Sequence, residues 1–358
     1  MPVPNDAWYA GIYVARSQMP LNGLLLSNLG SPRDPSTGAV QAYLRQFLTD
    51  GRVIDIPWLW RQLLVRGVIA PLRAPRSARA YAKVWTPEGS PLLVHTRALA
   101  AGVRETLGAD WRVAPGMRYG DPSLEAGLRE LVQAGCERIV VLPLYPQFAE
   151  ATTGSTVARL RQVLGKESAA SRLELVPPFY DSPGFIESVA CGIRPLLGPD
   201  SHLLLSYHGL PERQILKANP SGGCLRGNCC DDPSRARGGC YKAQCRATSK
   251  ALAAHLGLAE DRWTESFQSR LGRIPWIGPS TEETARRLAR EGVKHLVVAT
   301  PSFVADCLET LEEIGMGLGE TFREAGGATF RVAPCPNAGE AWVQEVSRMA
   351  AFLSYPQL

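Results

Sequence analysis

The run His202-Leu-Leu-Leu-Ser-Tyr207, closed by His208-Gly-Leu-Pro211, decides the reading of this chain. A short apolar stretch ended by turn residues is the pattern of a strand buried on both faces, as strands of a parallel sheet are. Comparable runs lie upstream at Gly23–Leu29, Trp111–Pro115, Arg138–Leu144 and Leu173–Val176, and downstream at Arg262–Phe267, His295–Thr300 and Thr329–Val332. Helical patterns fall between them at Ser123–Ala134, Val157–Leu164, Thr281–Glu291 and Cys307–Ile314. Strand–helix alternation predicts an α/β fold of two similar, doubly wound, Rossmann-like halves with parallel sheets. Ligands in such folds sit beyond the carboxyl ends of the strands, so His208 is predicted to face a cleft between the halves.

The expected division is an N-terminal extension (1–20), a first half (21–190), a second half (191–335) and a C-terminal crossing segment (336–358) with a helix at Glu340–Phe352. The excursion 36–91 carries Tyr43, Phe47, Trp58, Trp60, Tyr81 and Trp85 and is too large for a connection. It reads either as added core or as a lip that grips a flat apolar ligand and touches a membrane surface.

Bulk composition narrows the function. The 358 residues are 45% hydrophobic and 20% charged, with a net charge of +5 and no dense Lys/Arg block, which excludes a nucleic-acid binder. No basic-then-apolar leader opens the chain, and Ile54–Leu72 is broken by Asp55, Arg61, Arg66 and prolines, so it cannot span a bilayer. The expected location is the cytoplasm, with room for peripheral contact at the inner membrane.

Two groups of residues suggest chemistry. Asp306, Glu309 and Glu313 are spaced to share one face of a helix that follows the strand ending at Thr300. Such a row is ordinarily a solvated surface, but at a cleft it can bind or relay a divalent cation. Five of the nine cysteines, Cys224, Cys229, Cys230, Cys240 and Cys245, are bunched in a Gly- and Pro-rich loop, 219–240, and just after it. In a cytoplasmic chain such bunching favours metal ligation over disulfides. The paired knuckles of zinc sites are absent, and thiolates so placed suit an iron–sulfur cluster, with zinc and disulfides as the alternatives.

Several blocks in order resemble the ferrochelatase family. These are Leu26-Ser-Asn-Leu-Gly-Ser-Pro32, Gly116-Met-Arg-Tyr119, Tyr145-Pro-Gln-Phe148, Ala151-Thr-Thr-Gly-Ser155, Ser206-Tyr-His-Gly-Leu-Pro211, and the longer blocks Phe267–Pro279 and Phe303–Ile314. The resemblance implies insertion of Fe²⁺ as substrate into protoporphyrin IX to give protoheme, the last step of heme synthesis. It implies His208 as catalytic and metal-site residue, Glu309 as its partner carboxylate, and Glu313 continuing the acidic line. It further implies Arg73, Arg76 and Ser269 at the porphyrin propionates, with Arg118, Tyr119, Trp276 and Leu29 lining the cavity. Cys307 stands where some relatives have histidine.

Many ferrochelatases carry a [2Fe–2S] cluster. Here Glu150 occupies an upstream ligand position, so a cluster must be held internally. Cys245 lies in a stretch that resembles members without the insertion, which leaves Cys224, Cys229, Cys230 and Cys240 as ligands. The alternatives are a coproporphyrin III ferrochelatase, a chelatase for a cobalt-receiving corrin precursor, and a non-enzymatic iron–sulfur sensor on a chelatase scaffold. The Phe267–Pro279 block looks more like that of protoporphyrin enzymes. Oligomeric state is left open.

Overall fold

A computed structural model describes residues 21–164, 172–219, 223–270 and 274–352. The extension 1–20, part of the cysteine loop (220–222) and the last residues of the crossing segment (353–358) lie outside the described residues.

Eight strands form two four-stranded parallel sheets. The first contains β1 (Asn22–Asn28), β2 (Trp111–Met117), β3 (Arg138–Pro143) and β4 (Arg172–Leu175) in the order β2-β1-β3-β4. The second contains β5 (Ser201–His208), β6 (Trp263–Gln268), β7 (His295–Ala299) and β8 (Thr329–Val332) in the order β6-β5-β7-β8. The two orders are the same walk, so the halves are repeats of one topology. Each central strand is buried on both faces: Leu24, Leu25 and Leu26 in β1, and Leu203, Leu204 and Leu205 in β5, have no exposed surface. That is why these strands read as continuous apolar runs rather than alternating ones.

In the first half the excursion forms α1 (Thr37–Leu48), α2 (Trp58–Leu64), a π-helical turn (Val65–Ile69) and α3 (Ala70–Val84). It is followed by α4 (Pro91–Leu107), α5 (Leu124–Gln133), α6 (Ser155–Leu164) and α7 (Pro183–Ile193). The second half adds α8 (Glu212–Ala218), α9 (Pro233–Arg237), α10 (Tyr241–His255), α11 (Thr281–Arg290), a π-helix (Glu309–Leu318), α12 (Gly319–Glu324) and α13 (Glu340–Phe352). The closing helix α13 packs on α4 and α7 and sinks Trp342 and Val346 into a core shared by both halves.

The excursion has a split character. Tyr43, Leu44, Ala74, Ala78 and Tyr81 form a small core with Tyr119 and the flanking Leu29 and Leu308. The outer face of α2 and the start of α3 instead leave Trp58 65%, Trp60 65% and Leu72 75% exposed. The added-core reading thus holds for the buried side of the excursion, while α2 and the start of α3 leave large apolar side chains exposed. The expected α-helix at Cys307–Ile314 is corrected to a π-helix that starts two residues later and runs to Leu318.

Candidate active site

His208 is the last residue of β5, at the carboxyl end of the second sheet. Its backbone N–H donates to Ser302 Oγ at 3.0 Å, and its carbonyl accepts from Tyr241 Oη at 2.7 Å. On the ring, Nδ1 lies 2.7 Å from the carbonyl oxygen of Gly209. A carbonyl only accepts, so Nδ1 must carry the proton in the neutral ring, and Nε2 keeps its lone pair. Residue 209 has to be glycine for this: a Cβ there would stand 2.9 Å from Gln268 O and 3.1 Å from Ser269 O. Phe303 meets the imidazole edge-on, with ring centres 6.3 Å apart.

The acidic row is only partly as expected. Asp306 lies before the π-helix and turns inward, where its carboxylate accepts from Thr310 Oγ1 at 2.9 Å and Asn337 Nδ2 at 2.7 Å. It ties the end of β7 to the segment before α13 and leaves the row. The correction follows from the late helix start, because residues outside the helix do not obey its spacing.

Glu309 and Glu313 lie on the π-helix, a form rare enough that its occurrence often marks a functional site. Burial and then the charge of Glu309 raise the Tyr81 hydroxyl and the Cys307 thiol. Glu313 is raised first by desolvation and further by Glu309, against the lowering effects of Ser269 and His208. Glu309, Glu313 and His208 therefore share one electrostatic environment.

Ser269 bonds to the acidic line. Its N–H and Oγ both donate to the Glu313 carboxylate, at 3.1 and 2.8 Å. To do so it sits at φ 61°, the left-handed region that non-glycine residues seldom occupy. A strained residue that grips a carboxylate with both donors is a fixture of the acidic line.

Arg73 and Arg76 lie one turn apart on α3, and neither closes an ion pair among the described residues. Arg73 is held below the usual guanidinium value by desolvation and by Arg76, with Glu309 and Glu313 pulling the other way. It therefore lies within electrostatic reach of Glu309 and Glu313. Leu29, just after β1, joins the Tyr43–Tyr119 core. Trp276 bridges to Pro211 and stands over Gly209.

Arg118 and Tyr119 take part in a polar cluster around Asp50. Arg118 reaches Asp50 at 2.5 Å and Ser155 Oγ at 2.7 Å, and Tyr119 Oη donates to Asp50 at 2.9 Å. The Ser155 hydroxyl also donates to Asp50, at 2.6 Å. This polar knot fastens the end of α1 to β2 and α6. Burial alone would raise Asp50, but bonds from Ser155 and the Arg52 N–H, together with the Arg118 charge, hold it below the usual carboxylate range.

In the cysteine loop, Cys224 and Cys240 are buried and Cys229 and Cys230 half-buried, and none is in a disulfide. Cys229 and Cys230 sulfurs are 3.8 Å apart, and Arg235 donates to Cys224 Sγ at 3.5 Å. Burial, then the neighbouring Cys229, pushes the Cys230 thiol up to about 12. Among the described residues no three His, Cys, Asp or Glu side chains are already arranged as a metal cage. The four thiols are the donor type that an iron–sulfur cluster takes, but they are not gathered into one site. They are soft donors beside the cations Arg235 and Lys242, which offset the charge that four thiolates carry.

Sequence reasoning did not single out Ser302, Tyr241 as a histidine contact, or the partners Asp50 and Ser155. Ser155 closes one of the family blocks, Ser302 and Tyr241 flank motifs, and Asp50 stands apart from any; nothing in periodicity or spacing marks their contacts.

Comparison with known proteins gives the family and the fold. The family model described as Ferrochelatase matches residues 21–351. A ferrochelatase of Ectopseudomonas mendocina is 45% identical over 90% of this chain and 95% of its own length. One from Coxiella burnetii is 44% identical over 92% of each chain. Among solved structures, SirB from Bacillus subtilis with Fe³⁺ aligns at a TM-score of 0.54 with 12% identity, covering 92% of this chain and 96% of that one. The sirohydrochlorin chelatase SirB from the subspecies spizizenii, in complex with cobalt, aligns at 0.51 with 10% identity, covering 92% and 95%. At such identities these structures establish the shared fold alone.

Proposed function

This chain belongs to the ferrochelatase family, and we propose that it inserts Fe²⁺ into protoporphyrin IX to yield protoheme. What supports the reading is the Nδ1 contact of His208 to the Gly209 carbonyl, which leaves the Nε2 lone pair available, together with the charges of His208 and Glu309 both being felt at Glu313. Insertion replaces two pyrrole protons by one dication. A neutral imidazole nitrogen suits either proton acceptance or transient ligation. Glu309 offers a hard oxygen to a partly hydrated ferrous ion. Glu313, held by Ser269, then takes protons outward toward solvent.

Arg73 and Arg76 supply paired charge for the porphyrin propionates, and Leu29 and Trp276 supply apolar wall. Arg118 and Tyr119, fastened through Asp50, complete that wall.

A metallation assay with Fe²⁺ or Zn²⁺, run against protoporphyrin IX and coproporphyrin III, tests the assignment. Preference for protoporphyrin is expected. Faster coproporphyrin turnover would transfer the chain to the alternative substrate, and no turnover with either would leave only the sensor reading.

We also place a [2Fe–2S] cluster on Cys224, Cys229, Cys230 and Cys240. When bound, it supplies a redox-active, cross-linking centre; net Fe²⁺ insertion moves no electron, so no step of the reaction passes through it. Freshly purified protein is expected to absorb in the visible, and Cys240→Ser to be colourless. Colourless wild-type protein with stoichiometric zinc would overturn the assignment.

No described helix is long and apolar enough to cross a membrane. The exposed Trp58, Trp60 and Leu72 face, with Arg66 and Arg79 nearby, supports peripheral contact with an anionic bilayer. Sedimentation with vesicles containing phosphatidylglycerol is expected to bring down wild-type protein and to leave Trp58→Ser/Trp60→Ser in solution. Equal partition of the two would dismiss the contact.

A further inference from the structure

The polar groups around His208 are unusually complete on the side away from the cleft. Its N–H is held by Ser302, its C=O by Tyr241 and its Nδ1–H by Gly209, while the Gly209 N–H donates to Gln268 O at 2.7 Å. These contacts come from three separate elements: the segment after β7, the first residue of α10, and the end of β6. Tyr241 is almost wholly buried, and its hydroxyl donates to the His208 carbonyl at 2.7 Å, with the Ser302 hydroxyl and the Cys245 thiol also in hydrogen-bonding reach. A buried hydroxyl at so short a distance restrains the peptide plane it bonds. That plane joins His208 to Gly209, whose carbonyl in turn sets the imidazole tautomer.

We propose that Tyr241, together with Ser302, is a positioning residue for His208: by clamping the His208–Gly209 backbone it keeps the proton on Nδ1 and aims Nε2 into the cleft. Neither side chain touches the porphyrin or the metal. The inference rests on the reading of His208 as the reacting group. Because Tyr241 directly follows Cys240, whatever anchors that cysteine also anchors the clamp.

The test uses the full-length protein with Zn²⁺ and protoporphyrin, comparing Tyr241→Phe, Ser302→Ala and Ser302→Thr. Loss of one such bond is expected to lower kcat about threefold to tenfold. The porphyrin KM and the melting temperature should stay near wild type, and Ser302→Thr should recover most of the loss. In parallel, ¹⁵N spectra of the His208 ring should show a smaller Nδ1–H fraction in Tyr241→Phe.

An unchanged kcat in both Tyr241→Phe and Ser302→Ala would overturn the proposal. So would a loss of kcat that travels with KM and melting temperature while the ring tautomer is unmoved, since that is the signature of packing alone. His208→Ala separates the two levels of the argument. An active His208→Ala enzyme would defeat the underlying assignment, whereas an inactive one beside wild-type Tyr241→Phe would defeat only the clamp.

Discussion

Replacing His208 with alanine is expected to reduce porphyrin metallation to about a thousandth of its rate or less, with the protein still folded. General acid–base participation alone is worth roughly 10²–10⁴-fold, and here the same nitrogen also has access to the incoming ion. The fold should tolerate the change. The main-chain bonds to Ser302 and Tyr241 do not involve the imidazole, and alanine adds no atom to a crowded strand end. Porphyrin binding, followed by quenching of tryptophan fluorescence, should persist, because Arg73, Arg76 and Trp276 are untouched. A variant that metallates at a near-normal rate would remove His208 from the mechanism. A variant that neither binds porphyrin nor melts cooperatively would show a structural rather than a chemical role.

The second large effect is on stability. Asp50→Asn removes the charge at the centre of the knot formed with Arg118, Tyr119 and Ser155, leaving the Arg118 guanidinium largely buried with no counter-charge. Breaking one member of a buried pair typically costs about 3–5 kcal/mol, and the amide also presents an N–H₂ where three donors already converge. A fall of several degrees in melting temperature is expected at neutral pH, followed by differential scanning calorimetry.

The pH dependence has a definite sign. Asp50 has a folded value below its ordinary 3.8, so its stabilisation is complete above that value and lost as pH falls through the lower folded one. The gap between wild type and Asp50→Asn should therefore be full at pH 6–7 and narrow below about pH 4. An equal gap at pH 3 and pH 7 would mean that the knot is held by shape rather than charge. The same variant should lower activity less than it lowers stability, since Asp50 acts through the wall and not on the reacting atoms.

Much of this protein was legible before any coordinates. The central strands β1, β3, β5 and β7 were marked by apolar runs, because strands buried on both faces cannot carry polar alternation. The repeat of the two halves showed in the common spacing of those runs. The ferrochelatase blocks gave the place of His208 and Glu309 in the chain, and the bunching of Cys224–Cys240 stood out by composition. These are local properties, in which neighbours in sequence are neighbours in effect.

Other features were decided only by folding. Whether Asp306 joins Glu309 depended on where a π-helix starts, and the Asp306 carboxylate is taken up by Thr310 in the next turn and by Asn337 and the Cys335 N–H from some thirty residues on. Ser269 turned to Glu313 across 44 residues, and Arg118 to Asp50 across 68. Ser302 reached the His208 backbone over 94. Charge and hydrogen-bonding capacity are written in the sequence, but which donor meets which acceptor depends on close approach in three dimensions. Only the packing of the excursion, the two sheets and the π-helix around one cleft could settle that.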